Sequence, residues 1–257
     1  MHVTQVFIAI QQHAHLILNI DLEKFMTYRE ENDALLNSFY TEFFYKRWNG
    51  ENPKCVEFIF SPYCDLGCKY CYVNHTYDKI FPLKYFKSDL SIENALKYCN
   101  WLVKNHYTPT LNIFSGEIFA QECGFKLLEK LLEFYSNVPK EDRLKDIVIP
   151  TNGTFCSDLN KITRVEKIIA AFQDIGIPVY LSFSLDGKFM DKENRPFKNG
   201  LERDRYYDRI FTLARMHNYC FHPMIYSNNI DKWIENFDWF QSKLCEFNIP
   251  WSHVYLL

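Results

Sequence analysis

Six short apolar runs rich in β-branched and aromatic residues, separated by stretches of helical periodicity, limit what this chain can fold into. The runs are residues 55–61, 110–115, 146–150, 179–185, 221–226 and 252–257. One helical stretch opens at Ser91 and carries Glu93, Leu96, Trp101 and Leu102; a serine ahead of an apolar-periodic run is a helix-start signal. Others cover residues 125–132, 162–175, 203–216 and 230–247. Strands alternating with helices specify βα units and a parallel sheet. The runs are apolar almost throughout, which predicts burial on both faces of that sheet. The reading is an α/β fold, a partial (βα)6 TIM-like barrel over residues 55–257 that stops inside its sixth strand. A short N-terminal extension, residues 1–54, precedes it, with a pair of apolar runs and then a helix from Leu22 into Arg47.

In barrels of this kind the chemistry collects in the loops at the C-terminal ends of the strands. The first strand runs directly into Ser61-Pro62-Tyr63-Cys64-Asp65-Leu66-Gly67-Cys68-Lys69-Tyr70-Cys71. The cysteine spacing is C-x3-C-x2-C, which aims three thiolates at one point. Thiolate is the soft ligand that iron–sulfur clusters and zinc prefer. A four-iron cluster held by only three cysteines keeps one iron open to a non-protein ligand. A structural zinc site wants a fourth ligand, and His75 follows Cys71 closely enough to supply one.

The other strand ends also carry polar residues. The second ends in Ser115-Gly116-Glu117, the third in Pro150-Thr151-Asn152-Gly153, the fourth in Ser184-Leu185-Asp186-Gly187 and the fifth in Ser227-Asn228-Asn229. Each is weak alone. Asn-Gly and Asp-Gly are ordinary turn chemistry, and a glutamate suits the first turn of a helix. Arg195, in Glu193-Asn194-Arg195-Pro196, reads as a solvated loop arginine, with an anion contact as the second reading.

Taken together, the cysteine loop and these strand ends resemble the radical S-adenosylmethionine (radical SAM) enzymes. Within that superfamily, Thr151-Asn152-Gly153 and Ser184-Leu185-Asp186-Gly187 are similar to motifs of the peptide maturases and anaerobic sulfatase-maturing enzymes. Many of those carry a C-terminal SPASM or twitch extension, and no comparable cysteine-rich segment occurs in this sequence. The resemblance implies one 4Fe-4S cluster on Cys64, Cys68 and Cys71, and S-adenosylmethionine as cofactor. Ser115, Gly116 and Glu117 stand where that family has Gly-Gly-Glu, so Glu117 would meet the cofactor's amino group. Ser184 and Asp186 would meet ribose and carboxylate, Asn152 would line the pocket, Tyr70 would pack on the adenine, and Asn228 would hold the adenosine or fix its loop. A peptide or protein substrate and a reductant such as flavodoxin or ferredoxin follow from the same resemblance. The alternatives from the residues themselves are a zinc-binding interaction module and an inactive fragment of a longer radical SAM protein.

Composition narrows the setting. A net charge of −3 offers no broad basic field for nucleic acid. The aromatic residues, 18% of the chain, fall in apolar strands or at helical spacing and read as core and pocket lining. The start lacks a signal peptide's basic region, and the run from Val6 to Ile20 is too short and polar to span a bilayer. Nine cysteines, an odd number, then indicate a reducing cytoplasm and metal or redox use. Cys55, Cys99, Cys123, Cys156, Cys220 and Cys245 lack paired spacing and read as core or incidental thiols, with no second cluster. The apolar edge at 252–257 predicts association with a partner chain or with further residues.

Overall fold

Parallel pairing runs unbroken through six strands: β1 (His13–Ile17), β2 (Cys55–Ile59), β3 (Thr110–Asn112), β4 (Asp146–Thr151), β5 (Val179–Phe183) and β6 (Cys220–Phe221). The structure, a computed structural model, describes residues 13–17, 53–71, 87–198, 206–217, 219–224 and 227–254. Each strand pairs with the next in chain order, with Cys55 opposite Thr110, Thr110 opposite Asp146 and Ile147 opposite Val179. This is the strand order of an unclosed (βα) barrel, in which every crossover repeats the same turn. The crossovers are α1 (Ser88–Lys104), α2 (Glu122–Ser136), α3 (Leu159–Asp174), α4 (Lys188–Asn194) and α5 (Tyr207–His217), and α6 (Trp233–Glu246) follows β6.

The helices bury one stripe each. In α2 the stripe is Leu127, Leu128, Leu131 and Tyr135; in α3 it is Val165, Ile168, Ile169 and Phe172. Asp158 caps α3, its side chain accepting the Asn160 N–H at 2.8 Å. The stripes meet Val56, Phe58, Leu111, Ile147, Ile149, Leu181 and Phe221 on one face of the sheet. Phe211 of α5 is the hub of an aromatic cluster, its ring 4.8 Å from Phe221, 5.7 Å from Trp239 and 5.6 Å from Phe247. Each such pair adds about 1 kcal/mol to the area it buries. These rings are core, as the sequence indicates.

Four differences from the sequence reading have physical reasons. The sheet gains its first strand from residues 13–17, inside the segment read as an extension; the helix expected from Leu22 into Arg47 lies outside the described residues. Ser91 is not a cap: α1 starts at Ser88, and Ser91 is buried inside it. The sixth run does not form a strand among the described residues. Pro250 turns the chain into a 3-10 turn at Trp251–His253, and Val254, the last described residue, bridges Phe221 in parallel. Finally, the sheet is buried fully on its helix side alone. Val148 and Pro150 on the other face are half-buried and Tyr180 is 45% exposed, because an unclosed barrel has no opposite wall.

Candidate active site

The C-terminal ends of β2, β3 and β4 are tied together by side chains from the loops that follow them. Ser115 Oγ accepts the Ser61 N–H at 3.1 Å and donates to the Ser61 carbonyl at 2.8 Å. The backbone continues the join: Gly116 N–H donates to the Ser61 carbonyl at 2.6 Å and Glu117 N–H to the Tyr63 carbonyl at 2.8 Å. A Cβ built on Gly116 would stand 2.1 Å from the Tyr63 carbonyl oxygen and 2.7 Å from that of Pro62. The obstacle is backbone, so no rotamer change relieves it. Gly116→Ala is expected to push the cysteine loop off its seat and to cost about 1–3 kcal/mol of stability, as overpacking does. Urea unfolding of the two chains side by side measures it.

Glu117 is 3% exposed and sits at the centre of this join. Its carboxylate accepts from Thr151 Oγ1 at 2.8 Å, from the Asn152 N–H at 2.6 Å and from the Phe119 N–H at 3.2 Å. The last bond caps the short 3-10 turn Ile118–Ala120, so the capping reading of this residue is realised. Burial outweighs these donors and pushes the carboxyl up to about 7. A buried carboxylate held this high gains most from a cation brought against it.

Asn152 couples that centre to the cysteines. Its Nδ2 lies 3.6 Å from Cys64 Sγ and donates to Asp65 Oδ1 at 2.8 Å, while its Oδ1 accepts the Thr154 N–H at 2.9 Å. The glycine after it adopts φ +76°, a left-handed turn that explains Gly153 in this motif. Cys64 is buried, and Cys68 and Cys71 are half-buried in the loop, none of the three in a disulfide. Cys64 Sγ also accepts the Leu66 N–H at 3.4 Å. Burial, then the nearby Glu117 charge, pushes the Cys64 thiol up to about 12, so a metal binding here displaces its proton. Among the described residues no three His, Cys, Asp or Glu side chains stand close enough to enclose a metal ion. The donor chemistry nevertheless fits an iron–sulfur cluster: three thiols on one loop, with N–H groups directed at the most buried sulfur. His75, the residue a zinc site would need, lies outside the described residues.

On the β5 side the sequence assignments meet a different arrangement. Asp186 is completely buried. Its Oδ1 accepts from Arg195 Nη2 at 2.8 Å and from the Met224 N–H at 2.9 Å, and its Oδ2 accepts from Asn194 Nδ2 at 3.1 Å and from the Tyr70 hydroxyl. Tyr70 is thus turned to Asp186, with the Arg195 guanidinium 5.1 Å from its ring centre. Arg195, read from sequence as solvated, is 7% exposed and is the residue that reading missed. One signal was present: Asp191 and Arg195 are spaced i, i+4 at the end of a helix. Ser184 is half-buried and donates its N–H to the Thr151 carbonyl at 2.7 Å. Asn228 lies in the 3-10 stretch Ser227–Lys232. No helix among the described residues is long and apolar enough to cross a membrane.

Comparison with known proteins identifies the family and the fold. The family model described as "Radical SAM superfamily" matches residues 58–241. The radical SAM cyclopropyl synthase TigE of Paramaledivibacter caminithermalis is 28% identical over 167 residues, which are 61% of this chain and 31% of TigE. The crystal structure of Streptococcus suis SuiB superposes with a TM-score of 0.50 at 17% identity, covering 77% of this chain and 38% of SuiB. SuiB bound to its precursor peptide SuiA gives a TM-score of 0.47 at 16% identity, over the same shares of the two chains. This chain therefore spans about a third of the length of these relatives.

Proposed function

We propose that the chain, which belongs to the radical SAM superfamily, holds a 4Fe-4S cluster on Cys64, Cys68 and Cys71 and binds S-adenosylmethionine beside it to start radical chemistry on a peptide or protein side chain. The observation that carries this reading is the hydrogen-bonded path from Glu117 through Asn152 to Cys64. It brings three strand-end motifs, distant in sequence, onto one thiol. When bound, such a cluster supplies the electron that splits S-adenosylmethionine into methionine and a deoxyadenosyl radical able to take a hydrogen atom from substrate.

The chain's own part is binding, orientation and exclusion of water. Glu117 is the partner for the cofactor's ammonium group, since it is a carboxylate already desolvated and fixed by three donors. Gly116 leaves clearance where a side chain would strike the loop. Asn152 orients Asp65 and Cys64. Ser184 and Asn228, which follow β5 and β6 in the chain, would complete the pocket. Ser115 and Asp186 also have structural partners, Ser61 and the Arg195 group. The peptide class of substrate is supported by the Thr-Asn-Gly and Ser-x-Asp-Gly motifs. The electron would come from a flavodoxin- or ferredoxin-type protein in a reducing cytoplasm.

Anaerobic reconstitution with iron and sulfide tests the reading. The expected result is about four irons per chain, a broad visible band, and release of deoxyadenosine when dithionite and S-adenosylmethionine are added. One equivalent of zinc with no iron uptake would establish the zinc-module alternative instead.

A further inference from the structure

The cysteine loop is laced along its length to a segment far away in the sequence. Gly67 N–H donates to the Pro196 carbonyl at 2.8 Å, Lys69 N–H to the Asn194 carbonyl at 3.0 Å, and Lys198 N–H to the Asp65 carbonyl at 3.0 Å. Leu66 and Phe197 form an antiparallel bridge between the two segments. Lys198 Nζ adds a bond to the Cys64 carbonyl at 3.0 Å. The two segments therefore run as a short antiparallel ribbon, with Cys64 near one end and Cys68 at the other.

What holds the ribbon in place is the group around Asp186. A carboxylate offers about four acceptor positions, and Tyr70, Asn194, Arg195 and Met224 fill that number. Three of the four donors lie in the ribbon, and Met224 brings in the chain beyond β6. Arg195 is buried between Asp186 and Asp191, the latter at 4.0 Å, and Asp191 is itself fixed by the Asp186 N–H at 3.0 Å and the Tyr207 hydroxyl at 2.9 Å. Asn236 of α6 closes the back through a bond from its Nδ2 to the Asp186 carbonyl. Removing one partner from a buried group like this leaves the others unpaired, which makes it a stiff element.

We propose that Asp186, Arg195 and Tyr70 form a latch that fixes the cysteine loop, so that Arg195 is a positioning residue for the cluster. This rests on the cluster assignment above. Through Tyr70 the latch reaches the loop between Cys68 and Cys71, whereas Asn152 reaches it at Cys64 and Asp65. The cysteines are thereby held from two directions, by the β3–β4 loops and by the segment after α4.

Two mild variants test it. Tyr70→Phe removes one hydroxyl and keeps the ring; Arg195→Lys keeps the charge and loses the planar fork. Hydrogen exchange on the full, iron-free chain is read first at the amides of Gly67, Lys69 and Lys198. Protection there should fall about ten-fold in both variants, the lower end of the effect of outer-shell changes on metal sites. The Ile147 amide, which donates across the sheet to Pro178, should keep its protection and so rule out general loosening. In the reconstituted chain, a ferrous chelator should strip iron about ten-fold faster from either variant. Wild-type protection of the ribbon amides, or a wild-type rate of iron release, overturns the latch. If the unmodified chain takes up no iron, the proposed function fails, and the amide measurement still decides whether the ribbon is latched.

Discussion

The Cys68→Ala chain is expected to retain almost no iron and to release no deoxyadenosine, where the wild type is expected to hold about four irons. Cys68 is the informative cysteine to change. Cys64 is buried and its loss would also open a gap in the packing, but Cys68 is half-buried in the loop. Its backbone carbonyl, which accepts the Cys71 N–H at 3.2 Å, survives in alanine. The turn therefore stays and only the ligand goes. Two thiolates on one loop cannot close a three-point attachment, so the effect is near total and not graded. Cys245→Ala is the control, since that thiol is exposed on α6, and it should keep full iron content. Iron and sulfide assays with the visible spectrum read the outcome. Full iron on Cys68→Ala would remove the loop from the cluster assignment.

Glu117→Gln is expected to weaken S-adenosylmethionine binding about a hundred-fold, the consequence of deleting one partner of a buried charge pair. The same variant carries a stability signature with a definite sign. In the unfolded chain the carboxyl ionises near its ordinary value of 4.5, and in the folded protein burial holds it up to about 7. The folded state thus binds the extra proton between those values. Stability from this group is complete below pH 4.5 and is lost as pH rises through 7, a fall of about 3 kcal/mol. Glutamine keeps the shape and does not titrate, so that part of the slope should vanish. Urea unfolding at pH 5 and pH 8 for both chains measures it, and calorimetry with the cofactor measures the binding. An unchanged pH slope in Glu117→Gln would show that this carboxyl ionises freely in the folded protein. Unchanged cofactor affinity would move the ammonium partner to another residue.

The parallel sheet was legible because β2 to β5 are short apolar runs separated by helical stretches, and the consecutive order is the one a barrel reading of those runs requires. The strand at the end of the chain was not. Residues 221–226 look like a strand, yet Pro223 offers no N–H to a ladder, and the assigned strand stops at Phe221. Residues 252–257 are apolar, but Pro250 and Trp251 open a 3-10 turn ahead of them. The first strand was missed because His13 and His15 interrupt its apolar character. The positions of the cysteine loop and Glu117 just beyond β2 and β3 were legible from spacing and strand ends alone. The burial of Arg195 was not, because it depends on Asp186, Asn194 and Tyr70 closing around it, and composition does not encode that closure. Ser115 in place of a first glycine also becomes intelligible only in three dimensions, as the residue that bonds both backbone groups of Ser61.

The ribbon also sets a clock on assembly. Tyr70 and its acceptor Asp186 are 116 residues apart in the chain. At ordinary rates of synthesis that separation is on the order of ten seconds of ribosome travel. During that interval the three thiols are outside the ribosome, and the segment that laces them in place is not yet made. Iron offered then would meet a mobile tripod of sulfurs open to air and to competing metals. On the proposed cluster assignment, loading is therefore best late, after residue 198 has emerged and the ribbon has formed.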